Sequence, residues 1–97
     1  MAKILIVEDD ASLRKIVTRA VEAIGHTAVQ SPHGKHAWET LSVNTDIALV
    51  ITDMMMPEMD GRALVQVIRG NSEVGAIPII ILSGVADAKQ LADLLQL

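Results

Sequence analysis

The 97-residue sequence has no cysteine, no phenylalanine and no tyrosine, and Trp38 is its one indole. Without cysteine there is no thiol nucleophile, no thiolate-ligated zinc and no disulfide scaffold. With Phe, Trp and Tyr at 1%, the 51% hydrophobic content is almost wholly aliphatic, a composition that favours strands buried on both faces between helices. Basic residues are also scarce. The 8 Lys and Arg stand against 12 Asp and Glu, a net charge of −4, so no direct nucleic-acid binding is expected of this segment. Long apolar runs are missing: the longest, 47–51 and 79–82, fall far below a membrane span. The apolar run 4–7 meets Glu8, Asp9 and Asp10 too soon to be the core of a signal sequence. A cytoplasmic domain with no membrane attachment is the default expectation. No repeat, low-complexity tract or linker is visible. The length suits one domain, with a core that needs no disulfide or structural metal.

What is present is a regular alternation. Ile4–Val7 is an apolar run that stops at three acids, as a strand buried on both faces reads. Leu13, Ile16, Val17, Ala20, Val21 and Ile24 then recur at helical spacing, and Gly25 is the expected stop. Thr27–Gln30 is a short strand, residues 31–34 a loop, and residues 35–41 a short helix with Ala37, Trp38 and Leu41 on one side. Ile47–Thr52 is a second fully apolar strand, ending at Asp53. After a loop with Pro57, Asp60 is the expected N-cap of a helix carrying Leu64, Val65 and Ile68. Ile77–Leu82 is a further apolar strand ending at Ser83, and Ala88, Leu91, Ala92 and Leu95 mark a last helix. Strands alternating with helices predict an α/β fold with a parallel sheet and right-handed crossovers. The functional crevice of such a sheet lies at the C-terminal strand ends. Glu8, Asp9, Asp10, Asp53 and Ser83 all occupy those ends.

If Glu8, Asp9 and Asp53 converge, each pair at ~5 Å and an effective dielectric of ~20 repels by roughly 3 kcal/mol. A proton or a cation must relieve that. Oxygen ligands without His or Cys suit Mg²⁺ or Ca²⁺, and an open Mg²⁺ site that recruits phosphate is the commoner use of such carboxylates. A carboxylate beside such a metal can attack phosphorus and form an acyl phosphate. Plainer roles suit the remaining candidates. Met54, Met55 and Met56 read as packing and loop residues, Trp38 as a partly buried helix residue, and His26, His33 and His36 as surface residues.

Three stretches carry a resemblance: Ile4 to Asp10, Asp53 to Gly61 (Asp-x-x-x-Pro-x-Met-Asp-Gly), and the aliphatic Ile79–Leu82 followed by Ser83 and Gly84. In order and along the whole chain, they resemble the receiver domain of two-component response regulators. The resemblance implies a flavodoxin-like doubly wound parallel sheet and a phosphoacceptor switch. Asp53 would accept a phosphoryl group from a histidine kinase or phosphotransfer protein with Mg²⁺ as cofactor. Asp9 would ligate the metal directly, Glu8 mostly through water, and the Met55 carbonyl would complete the set with Asp53. Ser83 would be the switch hydroxyl, and Asp10 a bystander. Such a domain catalyses its own phosphorylation and dephosphorylation but turns over no foreign substrate.

The family pattern also has a fifth strand ending in Lys, then a fifth helix. No Lys-Pro dipeptide occurs, and Lys89 is the one lysine after Ser83. The chain therefore reads as a receiver domain over 1–97 with four of five βα units, its fifth strand and helix absent. That would leave Ile77–Leu82 an open edge available for self-association. Two other functions compete. One is a phosphorylation-incompetent fragment acting as an interaction or dimerisation module. The other is a phosphatase of the haloacid dehalogenase type, which wants a second Asp two places after its nucleophile, where Met55 stands.

Overall fold

The computed structural model describes residues 2–54 and 59–82. The elements run β1 (Lys3–Val7), α1 (Ala11–Ala23), β2 (Thr27–Ser31), α2 (Gly34–Val43), β3 (Ile47–Asp53), α3 (Gly61–Arg69) and β4 (Ile79–Leu82). The expected last helix lies outside the described residues. The four strands form one parallel sheet in the order β2-β1-β3-β4. The chain moves from β1 to one side for β2 and then crosses back to β3, so β1 and β3 flank the topological switch point, where the strand ends part to leave a crevice.

The central strands carry apolar side chains on both faces because helices cover both. Leu5 and Val7 of β1 pack with Ala37 and Leu41 of α2, Leu64 and Ile68 of α3, and Val50 of β3. Ile4 and Ile6 face the other way, toward Leu13, Val17 and Val21 of α1. A register shift between Lys3 and Ile4 in the β1–β3 ladder lets Ile47 and Val50, three residues apart, serve the same cluster. Trp38 is half-buried against the α2–α3 side, as its spacing suggests.

The helix starts are where sequence and structure differ. Asp10 caps α1, its Oδ1 accepting from the Ser12 and Leu13 N–H groups at 2.9 and 3.0 Å. Gly25, at φ 91°, stops α1 as expected. α2 begins at Gly34 and runs to Val43, longer than its apolar stripe, because His33 caps it: Nδ1 accepts from the His36 N–H at 3.1 Å. His36 meets Ser31 Oγ at 2.7 Å, and His26 Nδ1 accepts from the Ala2 N–H at 2.9 Å. The three histidines thus tie loops together. Asp60 caps α3 through the Ala63 N–H at 2.8 Å. β4 starts two residues later than its apolar run because Pro78 has no N–H to give and the Ile77 N–H turns back to the Val74 carbonyl.

Candidate functional site

β1 ends at Val7 and delivers Glu8 and Asp9 to one lip of the crevice; β3 ends on Asp53 at the other. The two strands pair in register from Ile4↔Leu49 to Val7↔Thr52, so Glu8 and Asp53 leave the sheet side by side. One carboxylate oxygen from each of Glu8, Asp9 and Asp53 lies within 4.8 Å of the others. The expected convergence of these three is therefore realised. The Met55 carbonyl and the Ser83 hydroxyl lie outside the described residues.

The three acids sit in different surroundings. Glu8 is 7% exposed, Asp53 half-buried and Asp9 exposed. Burial pushes the Glu8 carboxyl up to about 7 from 4.5; the Asp10 N–H, bonded to Oε2 at 3.1 Å, opposes the rise, while Asp9 and Asp53 add to it. Among the described residues the one ion pair is Lys3–Asp46 at 2.8 Å, away from these acids. Arg14 approaches, but its Nη1 donates to the Glu8 main-chain carbonyl at 2.7 Å. Three carboxylates gathered with no paired cation, His or Cys among the described residues suit a hard divalent ion with oxygen coordination.

Asp53 is oriented by the chain that follows it. Its Oδ1 accepts the Met54 N–H at 2.8 Å, leaving Oδ2 without a protein donor among the described residues. The Met54 N–H also reaches the Leu82 carbonyl at 3.0 Å, and the Met54 carbonyl accepts from the Gly61 N–H at 2.9 Å. Met54 is thereby pinned to β4 on one side and to the start of α3 on the other.

Gly61 is required by this closure. A Cβ at that position would run into the Asp53 carbonyl oxygen and stand 2.9 Å from Met54 Cα. Both are backbone atoms and cannot swing aside. Gly61→Ala should therefore destabilise the fold by about 2 kcal/mol, as overpacking typically does, and displace the Asp53 loop. Urea unfolding checks the first effect and the Asp53 amide shift in NMR the second. Gly34 makes a similar approach to the Met59 carbonyl, joining the α2 start to the far end of the same loop. Gly61 reads in sequence only as a helix-opening glycine, because its contact partner lies eight residues back.

Residues 4–97 match the family described as response regulator receiver domain. The chain is 39% identical over 82 residues to the chemotaxis protein CheY1 of Helicobacter pylori, a stretch covering 84% of this chain and 66% of that protein. It thus spans slightly under two thirds of that relative's length. Among solved structures, it is similar to the receiver domain of a signal transduction histidine kinase from Syntrophus aciditrophicus (33% identity, TM-score 0.82, 97% of this chain and 71% of that one). It is also similar to a response regulator receiver protein from Pseudomonas putida (28% identity, TM-score 0.80, 98% and 78%).

Proposed function

The chain belongs to the response regulator receiver domain family, phosphoacceptor switches of two-component signalling, and from that premise we propose that Asp53 is its phosphoacceptor. The observation that carries this reading is the meeting of Glu8, Asp9 and Asp53 at the β1/β3 switch point. With Oδ1 held by the Met54 N–H, Asp53 presents Oδ2 to the phosphorus of a phosphohistidine on a histidine kinase or phosphotransfer protein. The O–P bond forms as the N–P bond breaks, and the electron pair returns to the imidazole nitrogen, which can then take up a proton from solvent. Glu8, Asp9, Asp53 and the Met55 carbonyl would hold Mg²⁺, which supplies charge neutralisation to the phosphoryl oxygens. The acyl phosphate carries a charge of about −2 where the carboxylate carried −1, and the Ser83 hydroxyl would meet it as a donor.

Receiver domains are switches rather than enzymes acting on foreign substrates. For this chain that means stoichiometric uptake of phosphate, with self-catalysed phosphorylation and dephosphorylation. Incubation with acetyl phosphate and Mg²⁺ should load one phosphoryl group per chain, with no sustained turnover of p-nitrophenyl phosphate. Continuous turnover would favour the phosphatase reading, and failure to load would favour the interaction module. No helix among the described residues is long and apolar enough to cross a membrane, and the proposed site of action is the cytoplasm.

Self-association is a second proposal, favoured by β4. Among the described residues β4 pairs with β3 alone, and Ile80 and Ile81 are 36% and 42% exposed. An aliphatic edge of this kind recruits another strand. Sedimentation of the 97-residue chain should show a species heavier than 10.4 kDa at high concentration. A monomer at all concentrations contradicts pairing through the Ile77–Leu82 segment.

A further inference from the structure

We propose that Arg14 is a positioning residue for the acidic site: its guanidinium fixes the peptide between Glu8 and Asp9, and so sets where the Asp9 carboxylate stands. The inference rests on the metal-binding part of the function proposed above. Arg14 lies in the first turn of α1, its N–H bonded to the Asp10 carbonyl at 2.9 Å. The side chain turns back over the β1–α1 loop. Nη1 donates to the Glu8 carbonyl at 2.7 Å and Nε to Gln30 Oε1, at the end of β2, at 3.3 Å. On the other side of the same residue, the Glu8 N–H donates to the Ser31 carbonyl at 3.0 Å. Glu8 is thus clamped through both main-chain groups, by β2 and by α1. Asp9 is exposed, so the main chain rather than packing places its side chain.

The choice of partner is informative. An arginine beside three acids gains most from a carboxylate, where its fork makes charge-assisted bonds. Arg14 engages a carbonyl instead, and the one ion pair among the described residues is elsewhere. A guanidinium paired with Glu8 or Asp9 would compete with a metal for the same oxygens. Bonded to the carbonyl, it holds the ligands in place and leaves those oxygens open. Groups that orient metal ligands without touching the metal govern affinity strongly.

Calorimetric Mg²⁺ titration of the full chain tests this, with Arg14→Met and Arg14→Lys each compared with the parent where their circular dichroism spectra coincide. Charge and position predict opposite signs. Removing a positive charge near the acids should tighten Mg²⁺ binding by electrostatics alone; loss of positioning should weaken it. The expected result for Arg14→Met is about tenfold weaker binding, the lower end of the usual range for such groups. Parent-like or tighter binding in a folded Arg14→Met protein overturns the proposal. Should that variant fail to fold, Arg14→Lys carries the test, since it keeps the charge and loses the fork. About threefold weaker binding is then expected, and parent-like affinity overturns the proposal. A parent protein that takes up no Mg²⁺ instead defeats the metal site itself, a result distinct from either.

Discussion

At pH 8 and without divalent cations, Glu8→Gln should be more stable than the parent by up to about 3 kcal/mol. Glu8 is 7% exposed, and its folded-state pKa of about 7 lies above the ordinary 4.5. Below pH 4.5 the carboxyl is protonated in both the folded and the unfolded chain, and the fold carries no penalty from it. Between pH 4.5 and 7 the unfolded chain loses the proton while the folded one keeps it, so stability falls as pH rises through this window. Above pH 7 the folded protein holds a buried carboxylate beside Asp9 and Asp53, and the whole penalty is present. Glutamine is uncharged and can still accept the Asp10 N–H that Glu8 Oε2 takes. The variant's advantage should therefore grow across pH 4.5–7 and shrink when Mg²⁺ is added to the parent, because a cation relieves the same repulsion. Urea unfolding at several pH values measures both. A parent whose stability, relative to the variant, does not fall across that window would mean that Glu8 is not held as described.

Asp9→Ala should have the opposite profile, with a small effect on stability and a large one on metal affinity. Asp9 is exposed, belongs to neither apolar cluster, and raises the Glu8 pKa, so its removal relieves the metal-free protein slightly. The same carboxylate is the proposed direct ligand. Orienting groups outside the coordination sphere typically cost ~10–100-fold when removed, so loss of a ligand should reach at least the ~100-fold end. Calorimetry in the pH range where Glu8 is ionised gives the number. Unchanged Mg²⁺ affinity would remove Asp9 from the site.

The sheet and its acids were legible because parallel strands buried on both faces read as unbroken aliphatic runs. Ile4–Val7 and Ile47–Thr52 need no alternation to be seen, and an acid after each marks the strand end that opens the crevice. The misread positions share a cause: their partners are distant or unusual. The α2 start was hidden because a histidine, not Ser, Thr, Asp or Asn, caps it. The apolar run overreaches β4 because Ile77 is as apolar as a strand residue and 8% exposed, yet closes a turn before Pro78. Gly61 against the Asp53 carbonyl and Arg14 on the Glu8 carbonyl are contacts with main-chain atoms, which leave no mark in the partner's residue type.

Asp53 is the proposed acceptor of the phosphoryl group. Exposure of the parent and Asp53→Asn proteins to acetyl phosphate with Mg²⁺, followed by mass spectrometry of the intact chains and of peptides after borohydride trapping, tests it directly. The parent should gain the mass of one phosphoryl group, mapped to the peptide containing Asp53, and Asp53→Asn should gain none while its circular dichroism stays that of the parent. Equal labelling of the variant, or a label mapped to another residue of the parent, would contradict the assignment.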